Sequence, residues 1–274
     1  MAAETHRRTV IDGVRLAVST FTVLPLRPER VDRRTAGLAM TLAPVIGFAL
    51  GGVVAGVLYI GRQLWDSTSP NAWLSSLTGL IALIAMTGAL HLKGVADTVD
   101  GLTCSGDRER RLAVMRSSEL GAFGVIALAL VLLMQLGGIS TTMVHGISTI
   151  AVLTATVTGR LAVTWSCVRG VPAAQPDGLG ATVAGTVSRL TAATVTVLAV
   201  GALVVIGELH DHGGWTEVVR VVASAAAGLL AAWVLRLIAM HRIGGITGHV
   251  LGAAVEIATA ITLLGVALRA PILH

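Results

Sequence analysis

Two aspartates three residues apart, Asp97 and Asp100, lie in the most chemically loaded stretch of the chain, HLKGVADTVDGLTCSGDRERRLAVMRSSELGAFG from His91 to Gly124. On a helix, that spacing puts both carboxylates on one face. Hard divalent cations such as magnesium are held by one or two carboxylates together with substrate phosphates. Gly101, directly after the second aspartate, lets another backbone come close. A solvated helix end would use the same acids, because the helix dipole favours them. The stretch holds five of the chain's 15 acids and five basic residues, and long runs of Leu, Ala, Val, Ile and Gly flank it.

Other residues could act on the same chemistry. Guanidinium forks in DRERR (107–111) and at Arg116 suit phosphate, although a cytoplasmic helix of alternating charge near anionic lipid reads the same way. Arg160 falls inside or at the edge of an apolar run, where an ionisable residue is a functional candidate unless it snorkels to the interface. Glu256, early in the last apolar run, could complete a metal or substrate site. The turn Gly244-Gly245-Ile246-Thr247-Gly248 precedes a helix whose free N–H groups favour phosphate, though a tight interhelical turn also needs glycine. His210 and His212 read as loop residues, and His91, His145 and His241 receive no assignment.

These residues have to be positioned by elements that live in lipid. The 274 residues are 54% hydrophobic and 13% charged, with a mean hydropathy of +0.81, whereas soluble domains carry about 25% charged residues. Apolar runs of about 20 residues cross a hydrocarbon core as helices, which pair their own backbone groups. No alternating ten-residue segments of a membrane barrel occur. The fold expected is therefore all-α, a polytopic integral membrane helical bundle forming a single domain. About seven transmembrane helices are expected, over 36–60, 72–92, 123–139, 143–168, 190–208, 217–240 and 251–268. Residues 1–35 form an arm whose patch VRLAVSTFTVLPL is too short to span and is broken by Pro25 and Pro28; it reads as an interfacial or re-entrant segment.

The net charge of +5 does not point to nucleic acid, since aromatics make up only 3% and no basic stripe alternates with stacking residues. Cys104 and Cys167 are too few for a disulfide framework or a metal cage. The start, MAAETHRRTVIDG, has no apolar h-region, so no cleavable signal is expected. Lysine and arginine separate by side: seven in 1–35, five in 93–122, two in 169–189 and one in 241–250, against Arg62 and Arg269 in the alternate connections. The positive-inside rule then puts the N-terminus in the cytoplasm and, with seven spans, the C-terminus outside. The acidic segment 91–122, the loop VPAAQPDGLGATVAGT and the loop HRIGGITGH fall on the cytoplasmic side together and read as one site for charged cytosolic substrates.

The order of these motifs resembles cobalamin synthase, the adenosylcobinamide-GDP ribazoletransferase family. HLKGVADTVDG followed by RERRLAVMRSSELGAFGV carries the likeness, which continues through FTVLPL, APVIGFALGG, TGRLAVTW, VPAAQPDGLGATVAG and GGITGHVLGAAVE. The resemblance implies a magnesium-dependent membrane enzyme that joins a nucleotide-activated corrinoid to α-ribazole or its 5′-phosphate and releases GMP. It places Mg²⁺ on Asp97 and Asp100 and matches Glu256 to the family's late acid; Glu256 or Glu119 is the candidate for a further ligand. Asp97, Asp100 and His249 are the catalytic candidates. Lys93, Arg116, Ser117, Ser118, Arg160, Gly244, Gly245 and Thr247 are the candidates for substrate contact. The family carries aspartate at the positions of Lys93 and His249, and often at that of Ser117. The opening Asp-x-x-Asp-Gly is also similar to the CDP-alcohol phosphotransferases, but only over five residues.

The expected partners are the two small-molecule substrates and membrane lipid, with homo-oligomerisation left open and the cell membrane as the location. A membrane permease is the competing reading, and an impaired member of the same family is another. Transport sites sit near the bilayer midplane, whereas these acids gather at its boundary.

Overall fold

The computed structural model describes residues 2–65, 71–211 and 214–268; Arg269 and His212 lie outside the described residues, as does the side chain of His210. Eleven helices account for 81% of the described chain: α1 (Ala2–Phe21), α2 (Arg33–Leu64), α3 (Ala72–Thr87), α4 (Leu90–Thr103), α5 (Arg108–Met115), α6 (Ala122–Val144), α7 (Ser148–Ser166), α8 (Gly178–Val183), α9 (Arg189–Asp211), α10 (Gly214–Ile243) and α11 (Gly248–Ala267). Among the described residues the extended pairings are two isolated bridges, Val168 with Val187 and Ala173 with Ile246.

Five of these helices, α2, α6, α9, α10 and α11, are long and apolar enough to cross a membrane, and the bent pair α3–α4 raises the number to six. This composition fits a multi-pass membrane protein. The remaining expected run, 143–168, became α7, a helix packed inside the bundle. It carries five threonines and Arg160 and is buried along nearly its whole length, so its surroundings are mostly protein.

Small residues bring the central helices together. A Cβ on Gly47 of α2 would lie 2.8 Å from the Thr156 carbonyl oxygen, and one on Gly159 of α7 would lie 2.8 Å from the Val255 oxygen of α11. Backbones that approach this closely leave no room for a side chain, the usual device of helix association in lipid.

One expected span is not continuous. The run 72–92 was expected to be a single helix, but α3 stops at Thr87, and Gly88 (φ +61°) and Ala89 (φ +56°) turn the chain by 85° before α4 begins. Glycine adopts that conformation readily, whereas an alanine there must be held by its surroundings. The consequence is that Asp97 and Asp100 sit on a buried helix packed between α6 and α11 rather than on a solvated loop.

The N-terminal arm is ordered as α1, which packs along α2. It ends at Phe21, ahead of Pro25 and Pro28, and Asp12 ties the irregular segment back by accepting the Glu29 N–H at 2.9 Å. Asp32 then caps α2, accepting the N–H groups of Arg34 and Thr35. The Thr35 N–H, chiefly, holds its carboxyl below the usual range.

Candidate active site

The site is organised by α4, and what holds α4 against α11 is glycine facing glycine. A Cβ on Gly94 would stand 2.8 Å from the His249 carbonyl oxygen and 3.1 Å from the Gly252 Cα. This close approach puts Asp97, one turn further along α4, beside the first turn of α11. The Asp97 carboxylate is 2% exposed. Lys93 Nζ donates to both of its oxygens, at 2.8 and 2.7 Å, and His249 Nε2 lies 3.3 Å from Oδ2.

Asp100 has a different set of partners. Its Oδ2 accepts the Gly121 N–H and its Oδ1 accepts the Gly124 N–H, both at 2.7 Å. Gly121 is the N-cap of α6, whose terminal N–H groups need an acceptor. Side chains at either glycine would collide with the carboxylate. The i, i+3 spacing does place both acids on α4, yet one faces α11 and the other anchors α6.

The remaining expected ligands lie elsewhere. Glu119 is exposed. Glu256 is buried inside the bundle, where it accepts a 2.6 Å bond from Gln135 Nε2 and interacts electrostatically with Arg160. Arg160 is 1% exposed, and its Nε and Nη2 have no hydrogen-bond partner. Among the described residues no three His, Cys, Asp or Glu side chains come together as a metal-binding group.

The three polar segments do converge. A cavity of about 490 Å³ is lined from one side by His91, Gly94 and Arg116, from another by Gln175, Asp177 and Gly178, and from a third by Thr247, Gly248 and His249, with Phe21, Val163, Leu251 and Val255 as apolar wall. That volume is within the common range for small-molecule sites. The Arg116 side chain makes no hydrogen bond or ion pair among the described residues, so the cavity wall carries an uncommitted guanidinium. Ser117 accepts the Glu119 N–H instead, and neither it nor Ser118 lines the cavity.

The Gly-rich turn is shaped first by packing. Ile246 donates its N–H to the Pro172 oxygen and accepts the Ala174 N–H, at 3.0 and 2.9 Å. A Cβ on Gly245 would run into the Pro172 oxygen and lie 2.7 Å from the Ala173 carbonyl carbon, while Gly244 takes φ +79°. Thr247 caps α11 by accepting the Val250 N–H. Because Leu251 makes the first intrahelical bond, the N–H groups of Gly248 and His249 are left at the cavity wall, a geometry suited to anions.

Most of the DRERR run is structural. Arg108 donates from Nε to the Ile243 oxygen and from Nη2 to the Ala174 oxygen, and Arg111 donates to the Leu102 oxygen. These guanidinium groups satisfy carbonyls at helix ends and clamp the loops around the cavity. Gly245→Ala is therefore expected to part the two loops, lowering stability by about 1–3 kcal/mol. Thermal melting in detergent reads the effect.

His91 gained significance only in the structure. It is buried, stacks on Phe21 at a centroid distance of 5.9 Å, and forms part of the cavity wall with Nδ1 unpartnered. The sequence offers no signal for this, because Phe21 lies 70 residues away on a helix whose docking the local pattern does not specify.

Residues 13–267 match the profile of a family described as Cobalamin-5-phosphate synthase. A protein of Frankia casuarinae named adenosylcobinamide-GDP ribazoletransferase is 42% identical over 95% of this chain and 96% of its own length. Its namesake in Nocardioides sp. is 40% identical over 94% of this chain and 99% of its own. The Escherichia coli protein of that name is 31% identical over 81% and 84%. No solved structure matches the chain.

Proposed function

The chain belongs to the Cobalamin-5-phosphate synthase family, and from that premise we propose that it transfers the cobinamide phosphate group of adenosylcobinamide-GDP to α-ribazole or its 5′-phosphate, releasing GMP. A ribazole hydroxyl attacks the phosphorus that bears the corrinoid linker; a new P–O bond forms, the diphosphate P–O bond breaks, and GMP takes the electron pair. Such transfers depend on positioning and charge neutralisation. The observation carrying the reading is the cavity at which His249, Arg116 and the N-terminus of α11 converge, with Asp97, paired to Lys93, in contact with His249. A permease is not favoured, since the named relatives are transferases.

Each residue has a role in that reading. Arg116 and the free N–H groups behind Thr247 hold phosphate oxygens at the cavity. Asp97 orients His249, which turns Nε2 to the carboxylate and leaves Nδ1 to take the hydroxyl proton. Asp100 holds α6 in register. Gly244 and Gly245 set the turn, and Arg160 with Glu256 stiffens the bundle beneath. Magnesium would find one carboxylate here, Asp97, and would be held only together with the oxygens of a substrate diphosphate, whose charge it would neutralise.

The topology in lipid extends the same proposal. Seven passes, α2, α3 with α4, α6, α7, α9, α10 and α11, put every site loop on the arginine-rich side, which is cytoplasmic by the positive-inside rule. With α1 along the interface, its exposed Val10, Ile11 and Val14 meet the headgroup boundary.

Detergent-purified protein given adenosylcobinamide-GDP, α-ribazole and Mg²⁺ is expected to form adenosylcobalamin and GMP in equal amounts. His249→Asn is expected to reduce turnover about 10²- to 10⁴-fold with nucleotide binding retained. Uptake of unchanged corrinoid by sealed vesicles, without GMP release, would establish a permease instead.

A further inference from the structure

Asp97 is covered by a cation that the chain itself supplies. One ammonium, Lys93 Nζ, contacts both carboxylate oxygens at 2.7 and 2.8 Å. The Asp97 side chain is 2% exposed and that of Lys93 is 51% exposed, so the ammonium stands between the carboxylate and water. Lysine N-terminal to its acid is the less favourable order for an i, i+4 helix pair. The pairing therefore owes little to helix propensity; a carboxylate buried this deeply requires a partner.

Among the described residues no other side chains supply a cage. Asp100 has given one oxygen to each of two N–H groups, and no three candidate ligand side chains meet among the described residues. A free divalent ion would have to displace an ammonium held by its own helix one turn away, against a high effective concentration. Lysine has three N–H donors. Two point at Asp97, and one is left for an oxygen anion arriving from the exposed side.

We propose that Lys93 is a tethered cation: in the resting protein its ammonium fills the place on Asp97 that a free divalent ion would take, and it offers its remaining N–H to the diphosphate of the incoming substrate. The diphosphate half rests on the transferase reading above; the metal half rests on geometry alone. Metal then enters only together with phosphate oxygens.

Manganese binding, read by electron paramagnetic resonance on purified substrate-free protein, tests the first half. Wild type is expected to hold no Mn²⁺ dependent on Asp97 at submillimolar concentration. Lys93→Ala is expected to gain one site at least about tenfold tighter, and Lys93→Ala/Asp97→Asn to lose it again. Lys93→Gln, which keeps a neutral hydrogen bond to the carboxylate, serves if the alanine variant does not fold. Inorganic pyrophosphate in the presence of EDTA tests the second half: wild type and Lys93→Arg bind it, and Lys93→Ala binds at least about tenfold more weakly. Wild-type Mn²⁺ binding as tight as in Lys93→Ala, and lost in Asp97→Asn, would overturn the proposal. So would a folded Lys93→Ala that gains no site. None of these readouts uses turnover, so they fail or succeed separately from the transferase assignment.

Discussion

Asp97→Asn is expected to lower turnover by about 10³-fold, in a protein that still folds. The asparagine keeps the volume of the buried side chain, so α4 continues to pack on α11 through Gly94 and Gly252. What disappears is the negative charge that holds Lys93 and His249 in place. The freed ammonium costs little, because Lys93 is half exposed and water receives it. The prediction is a melting temperature close to wild type with GMP release at the limit of detection. Near wild-type GMP release would remove Asp97 from the chemistry and leave the cavity without an oriented imidazole.

The neighbouring acid behaves in the opposite way. Asp100→Asn is expected to damage the fold far more than it damages the site's chemistry. An amide presents one oxygen, so either Gly121 or Gly124 loses its acceptor and faces an NH₂ group instead. The start of α6 also loses the anion that complements its dipole. Hydrogen bonds to a charged group are worth about 1.5–3 kcal/mol each. Losing one of the two and weakening the other project to about 2–3 kcal/mol, a fall of about 5–10 °C for a chain of this size. Differential scanning fluorimetry of the two variants side by side reads the contrast. An Asp100→Asn protein as stable as wild type, yet inactive, would instead make Asp100 part of the reacting centre.

The Asp-x-x-Asp motif thus contains two residues with separate duties, and its spacing cannot reveal this. Both acids lie on α4, as a helical spacing requires, but their neighbours come from α11 and α6, 152 positions and 21 to 24 positions away respectively. The same holds for the basic run. DRERR reads equally as a phosphate patch or a solvated face; its geometry gives Arg108 and Arg111 to backbone carbonyls and leaves Arg116 at the cavity. The bend at Gly88–Ala89 hides for a related reason: apolar runs report what lies in lipid, and they carry no record of a left-handed alanine that tertiary packing sustains.

Hydropathy, arginine distribution and motif order sufficed for the helical membrane class, the grouping of three polar loops and the family, because each is written as composition or local spacing. Which carboxylate meets the imidazole, which one caps a helix, and which arginine remains uncommitted are properties of helix packing. They rest on contacts a few ångströms across between segments far apart in the chain, made possible by glycines such as Gly94 and Gly252, and no one-dimensional pattern contains those distances.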